Sequence, residues 1–220
     1  MEQMSFGQML KVSITMPILL VLSILIVAQA IERFYVFWVA CPLPGGFWEK
    51  VKAKLDKGDH EGALGICQVQ SGIMGEALER LLNLKDPNTE RLVEAFQLYR
   101  QRMHMELNRR LGFFGTASFI APLIGLMGTV LGIMRAFHDL AIAGAGGPVV
   151  VAAGISEALV ATAAGIGVAV MSAVFYNYFT LAARQRLSQA DLWVFELAEL
   201  LPQASPPIQA PMRPGPRLGP

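Results

Sequence analysis

Three long uncharged stretches limit what this chain can fold into. Residues 12–31, 111–134 and 149–183 contain one charged side chain among them, Glu157. About 20 apolar residues at 1.5 Å rise cross the ~30 Å hydrocarbon layer of a bilayer. Lipid offers no hydrogen bonds to the backbone, so such stretches fold as helices or close into barrels. Continuous runs of this length select the helix. The expected fold is an all-α integral membrane protein with three transmembrane helices. The third run, about 35 residues or roughly 50 Å, exceeds the bilayer and should extend into the cytoplasm. The chain is 54% hydrophobic and 16% charged, against about 25% charged in soluble domains. The charges it has are concentrated between the runs.

The order of segments follows. Residues 1–11 form a short N-terminus and 12–31 the first span, with Pro17 in its first turns, where proline is tolerated. No small-x-small cleavage pattern precedes Glu32 and Arg33, so this run reads as a retained span. Phe34, Tyr35, Phe37 and Trp38 resemble an interfacial aromatic belt. The breaker Cys41-Pro-Leu-Pro-Gly-Gly46 ends the helix. Residues 32–110 are a helical region of soluble character. Trp48, Val51 and Leu55, then Ala63, Leu64 and Cys67, mark short amphipathic helices around a turn at Lys57-Gly58-Asp59, and Gly72 to Leu84 reads as another. Asp86-Pro87 is a helix start. From there no breaker intervenes, so one long helix is predicted to run through Arg110 into the second span, 111–134. Residues 135–148 form a connection ending in Gly144-Ala-Gly-Gly-Pro148. The third span with its extension covers 149–183, an amphipathic helix covers 184–201, and the proline-rich 202–220 is an expected disordered tail.

Lysine and arginine crowd into 32–110, with Arg184, Arg186, Arg213 and Arg217 following the third span; Lys11 and Arg135 lie on the other side. The positive-inside rule places the large loop and C-terminus in the cytoplasm and the N-terminus outside. A net charge of +1 gives no nucleic-acid footprint. Cys41 and Cys67 form no metal or redox motif. No cofactor is called for.

Spans two and three each carry a stripe of small or weakly polar residues. On span two it is Gly115, Ser118, Pro122, Gly125, Thr129, Gly132 and Ala136; on span three it is Ala158, Thr162, Gly165, Ala169, Ser172 and Tyr176. Steps of three or four put each stripe on one helix face. Two readings fit. Small residues allow close helix packing in membranes. Alternatively, the faces turn inward in a ring of subunits, and Thr129 and Thr162 line a narrow, weakly polar lumen. Glu157 is a functional candidate because a carboxylate within a span is costly; the competing reading is a carboxylate at interface depth that reaches water. It lies five residues from Thr162, about 140° around the helix, and Arg135 is a candidate partner. One carboxylate and two hydroxyls make a poor relay alone, so a second protein would supply the protonatable group.

The run Ala121-Pro-Leu-Ile-Gly-Leu-Met-Gly-Thr-Val-Leu-Gly-Ile-Met134 resembles the span-two signature of the MotA/TolQ/ExbB proton channel family. Gly154-Ile-Ser-Glu-Ala-Leu-Val-Ala-Thr-Ala-Ala-Gly165 resembles the span-three signature, and Tyr176-Asn177 its end. Three spans fit the ExbB/TolQ branch better than the four-span flagellar stators. The resemblance implies a non-enzymatic, proton-motive-force-driven motor: a homopentamer enclosing a dimeric, single-span ExbD/TolR-like partner whose aspartate carries the proton. The family's pore threonines fall on Thr129 and Thr162, and its glutamate on Glu157. The proline-rich tail departs from the compact family pattern and leaves the sub-branch open. The alternative is a non-conducting membrane scaffold.

Overall fold

The computed structural model describes residues 15–43, 45–84, 89–143 and 147–201. Residues 1–11, the Asp86-Pro87 helix start, the Gly144–Gly146 part of the second connection and the 202–220 tail lie outside the described residues. Among those described, all regular structure is helical. The helices are α1 (Thr15–Tyr35), α2 (Phe47–Leu55), α3 (His60–Val69), α4 (Ile73–Leu82), α5 (Thr89–Asn108), α6 (Leu111–Ala143) and α7 (Gly147–Leu200). Three helical stretches among the described residues are long and apolar enough to cross a membrane. The chain divides into two compact units. One holds the residues up to Ala40 with His104–Arg186; the other holds Cys41–Met103 with the chain from Leu187 onward.

In the first unit, α1 buries one stripe, Thr15, Leu19, Ile26, Ala30 and Arg33. Its other faces expose Ile18, Val21, Ile24, Leu25 and Ile31. An apolar surface of that extent requires lipid or another subunit around it. Leu19 packs with Ala121 and Ala169, flanked by Leu22, Ile124, Ala164 and Val168. The helix ends in a π-helical turn, Val36–Ala40. The expected aromatic belt divides here. Tyr35 and Trp38 are exposed, as interfacial anchors would be, whereas Phe37 is buried. Phe37 packs on Phe179 at 5.4 Å, within a cluster that includes Phe34, Phe114 and Phe175.

The single long helix expected from the cytoplasmic loop into span two is interrupted. α5 ends at Asn108, α6 begins at Leu111, and Arg110 takes a φ of 60°. The cause lies on α1. Arg33, fully buried, donates from Nη1 to the carbonyls of Glu106 (3.1 Å) and Arg109 (3.0 Å). These acceptors are therefore drawn out of the helical ladder. The local signal is weak: the two arginines are good helix formers, and only Asn108, whose Nδ2 donates to the His104 carbonyl at 2.9 Å, and Gly112 flank the break. Two further differences concern length. α6 continues to Ala143, so most of the expected 135–148 connection is helix. α7 then runs 54 residues without interruption, about 80 Å at helical rise.

The second unit has its own core. Trp193 stacks on Trp48 at 5.9 Å and meets Phe47 at 5.8 Å. Trp48 Nε1 donates to Glu196 (2.7 Å), and Arg100 grips Asp191 through two bonds of 2.7 and 3.1 Å. The turn expected at 57–59 is present, with Gly58 at φ 72°. Asp59 caps α3 by accepting from the Gly62 amide at 2.8 Å. The Lys54 ammonium beside it, helped by that amide, holds the Asp59 carboxyl below the usual range. Burial, with Glu79 nearby, pushes the Cys67 thiol up to about 11.

Candidate functional site in the paired spans

The two small-residue stripes meet each other within one chain. A side-chain carbon built on Gly125 would lie 3.0 Å from the Ala161 carbonyl oxygen and 3.1 Å from Thr162 Cα. One on Gly165 would lie 2.7 Å from the Ala121 carbonyl oxygen and 3.0 Å from Gly125 Cα. Gly132 faces Ala158, and Gly154 faces Ala136. A side-chain carbon on Gly115 would meet the Tyr176 ring in ordinary contact, at 3.4 Å. At Gly125 and Gly165 glycine is needed because the nearest atoms are backbone and no side chain could yield. Among the described residues these glycines, Ala158 and Ala136 are thus contact residues between α6 and α7.

The serine and threonine hydroxyls on the stripes all bond to backbone. Thr162 Oγ1 donates across the crossing to the Gly125 carbonyl at 3.0 Å. Thr129 Oγ1 donates to Leu126 of its own helix at 2.7 Å. Ser172 Oγ, fully buried, donates to the Phe114 carbonyl at 2.8 Å, and Ser118 Oγ to Gly115 at 2.8 Å. Ser118 lies four residues before Pro122, whose ring leaves the Ser118 carbonyl without its helical donor. Ala169 is buried beside Leu19 and Ala121. With each proton committed, a threonine oxygen retains acceptor capacity only. Such an oxygen favours a neutral, proton-bearing carboxyl over an ionised one.

Glu157 is half-buried on α7. Among the described residues it makes no hydrogen bond or ion pair, so the pairing with Arg135 read from the sequence is not formed within the chain. Two features escaped sequence reasoning. Thr15 at the start of α1 is fully buried, and its Oγ1 would lie 2.6 Å from a side-chain carbon on Gly128. The Glu32–Arg33 pair reads as ordinary flanking charge, yet Glu32 accepts from Gln29 (2.6 Å), Arg33 (3.1 Å) and Arg110 (2.7 Å). No metal-binding cluster occurs among the described residues.

The model of the MotA/TolQ/ExbB proton channel family matches residues 67–191, which include both stripes. The chain belongs to this family. It is 31% identical over 140 residues to the biopolymer transport protein ExbB of Aquifex aeolicus, covering 63% of this chain and 88% of that one. It is 32% identical over 118 residues to the Tol-Pal system protein TolQ of Pseudomonas aeruginosa, covering 53% and 51%. Among solved structures, C. jejuni MotAB shares the fold with a TM-score of 0.58 at 18% identity, covering 80% of this chain and 69% of that one. Membership in a proton channel family, with three helices able to span, makes this a membrane protein of the ExbB, TolQ and MotA kind that serves proton-motive energy transfer.

Proposed function

We propose that this chain is the pore-building subunit of a proton-driven inner-membrane motor, assembled as a homopentamer around a dimeric ExbD/TolR-like partner. The N-terminus lies in the periplasm; the 32–110 region and the C-terminus lie in the cytoplasm. Moving one charge through the potential yields about 2.3 kcal/mol per 100 mV. That work would turn or shift the partner and reach the envelope, in biopolymer transport, Tol-Pal-type envelope integrity or gliding. One observation carries the reading: the two family motifs are in contact through the Thr162–Gly125 hydrogen bond, with Thr129 one turn along. Their oxygens are left as acceptors, which suits a wall beside a partner carboxyl that must take up a proton. Glu157, unpaired among the described residues, tunes proton access or holds the ring interface.

A non-conducting scaffold is the second reading, favoured by the close contact of the small faces within one chain. Thr162→Val and Glu157→Gln discriminate between the two. The lost Thr162 bond is worth about 0.6 kcal/mol in membranes, too little to prevent folding. Both variants should insert and form the ring but lose most proton-motive-force-dependent activity in cells expressing the partner. Thr129→Val should be milder and Leu131→Val nearly silent. Full activity in the two assembled variants would establish the scaffold.

A further inference from the structure

We propose that Glu32 and Arg33 form a clasp at the end of the first span that holds the helix of the second span broken, and that Arg109–Arg110 is a hinge with a second, continuous state. Four observations meet here. First, Arg110 is the one non-glycine residue with positive φ among those described. An L-residue there is strained, because its Cβ crowds the following carbonyl. Second, the local sequence, Glu106-Leu-Asn-Arg-Arg-Leu111, holds neither glycine nor proline. Its Glu, Leu and Arg residues favour helix and Asn108 is the one weak former, so local propensity leaves the joint able to close and a contact from outside weighs on which state it takes.

Third, the agent that imposes it is visible. In an unbroken helix the Glu106 carbonyl would accept from the Arg110 amide, and the Arg109 carbonyl from the Phe113 amide. Instead Arg33 Nη1 occupies both carbonyls, and the Phe113 amide bonds to the Arg110 carbonyl at 3.1 Å. Glu32 completes the clasp by holding Arg33 with one carboxylate oxygen and Arg110 with the other. Fourth, the clasp is imperfect. Arg33 is fully buried, and its Nε finds no partner among the described residues. A buried donor without an acceptor raises the energy of the clasped state. Backbone strain on one side of the joint and one unsatisfied buried Nε–H on the other make the broken helix a state held against a nearby alternative.

Closing the break would return the Glu106 and Arg109 carbonyls to the ladder. It would also re-phase α6 against the last turn of α5, since each residue taken into a helix contributes about 100° of rotation. Under the motor reading, that rotation would change which face of span two meets its neighbours. The hinge itself stands or falls without that reading.

Hydrogen exchange on the full chain in nanodiscs tests it. The first amides of α6, Leu111 and Gly112, have no acceptor in the turn before them when the helix is broken. In Arg33→Gln the helix closes, and exchange at these two amides should slow by about tenfold or more relative to the native protein. A folded Arg33→Gln with unchanged or faster exchange there would overturn the proposal. If Arg33→Gln does not fold, Arg110→Gly and Arg110→Ala decide the matter, since both lose the Glu32 bond equally. Alanine favours the continuous helix and glycine, at φ near 60°, the broken one. Exchange at Leu111 and Gly112 should therefore be slower in Arg110→Ala than in Arg110→Gly, and equal exchange in the two, or slower exchange in the glycine variant, refutes the hinge.

Discussion

Gly165→Ala isolates the contact on which the site is built. The added methyl would sit 2.7 Å from the Ala121 carbonyl oxygen, 3.0 Å from Gly125 Cα and 3.2 Å from Gly125 N. All three are backbone atoms, so relief requires α6 and α7 to separate. Overpacking of this kind costs about 1–3 kcal/mol. Separation would also stretch the 3.0 Å Thr162–Gly125 bond, worth about 0.6 kcal/mol. Against these, alanine gains about 0.5–1 kcal/mol over glycine inside a helix. The balance is a loss of about 0.6–3 kcal/mol. Gly167→Ala, two residues along the same helix, is the internal control. Nothing lies within 4 Å of its added carbon, so the helix gain is uncompensated and the chain should be stabilised by about 0.5–1 kcal/mol. Unfolding of both variants in mixed detergent, followed by circular dichroism, should therefore separate them by about 1–4 kcal/mol. Equal stabilities, or Gly165→Ala the more stable, would show that the spans do not pack through these glycines.

In the second unit, Trp193→Ala removes the ring stacked on Trp48 and should cost about 3–5 kcal/mol by thermal unfolding; a loss under about 1 kcal/mol would refute its place in the core. Cys67, with its thiol near 11, should react with iodoacetamide at pH 8 about 100-fold or more slowly in the native protein than in denaturant; equal rates would contradict its burial. Asp59 has a depressed carboxyl, so its contribution is present above the unfolded carboxylate pKa and lost as pH falls through the folded one. The protection of the Gly62 amide, its exchange taken relative to the intrinsic rate at each pH, should accordingly fall on acidification, and Asp59→Asn should abolish that dependence. A cysteine placed near Gly146 should be labelled from outside intact cells and one at Lys54 should not, because lysine and arginine crowd the Glu32–Arg110 segment; labelling at Lys54 would reverse the orientation.

Much of the fold was legible because a bilayer narrows the options. An uncharged run of about 20 residues must be helical, and the three runs correspond to α1, α6 and the first part of α7. The stripes were legible as faces, since a spacing of three or four fixes a side of a helix. What faces them was not. Periodicity places Gly125 and Thr162 on their own helices but cannot say that one bonds the other. The interruption at Arg109–Arg110 was illegible for a different reason. Its cause, Arg33, lies 76 residues away from Arg109 in sequence, and flanking arginines ordinarily signal topology alone.

The Thr162–Gly125 bond also narrows the choice between packing and pore. The two readings compete for the same residues only if a residue must serve one purpose. Gly125 and Gly165 are committed to the α6–α7 contact by their distances to backbone atoms, so no ligand or partner can approach along that line. Thr129 is half-exposed one turn beyond Gly125, with its proton bonded to Leu126 and its remaining lone pairs unspent. Thr162 is tied across the crossing while still half-exposed. The packing residues thus fix the two threonines as rigid acceptors and take no part in what those acceptors meet. A path built this way should lose its function when an acceptor is removed and its fold when a glycine is filled. Thr162→Val and Gly165→Ala should therefore fail in different assays: the first in energised activity with the ring intact, the second in stability before any activity can be read.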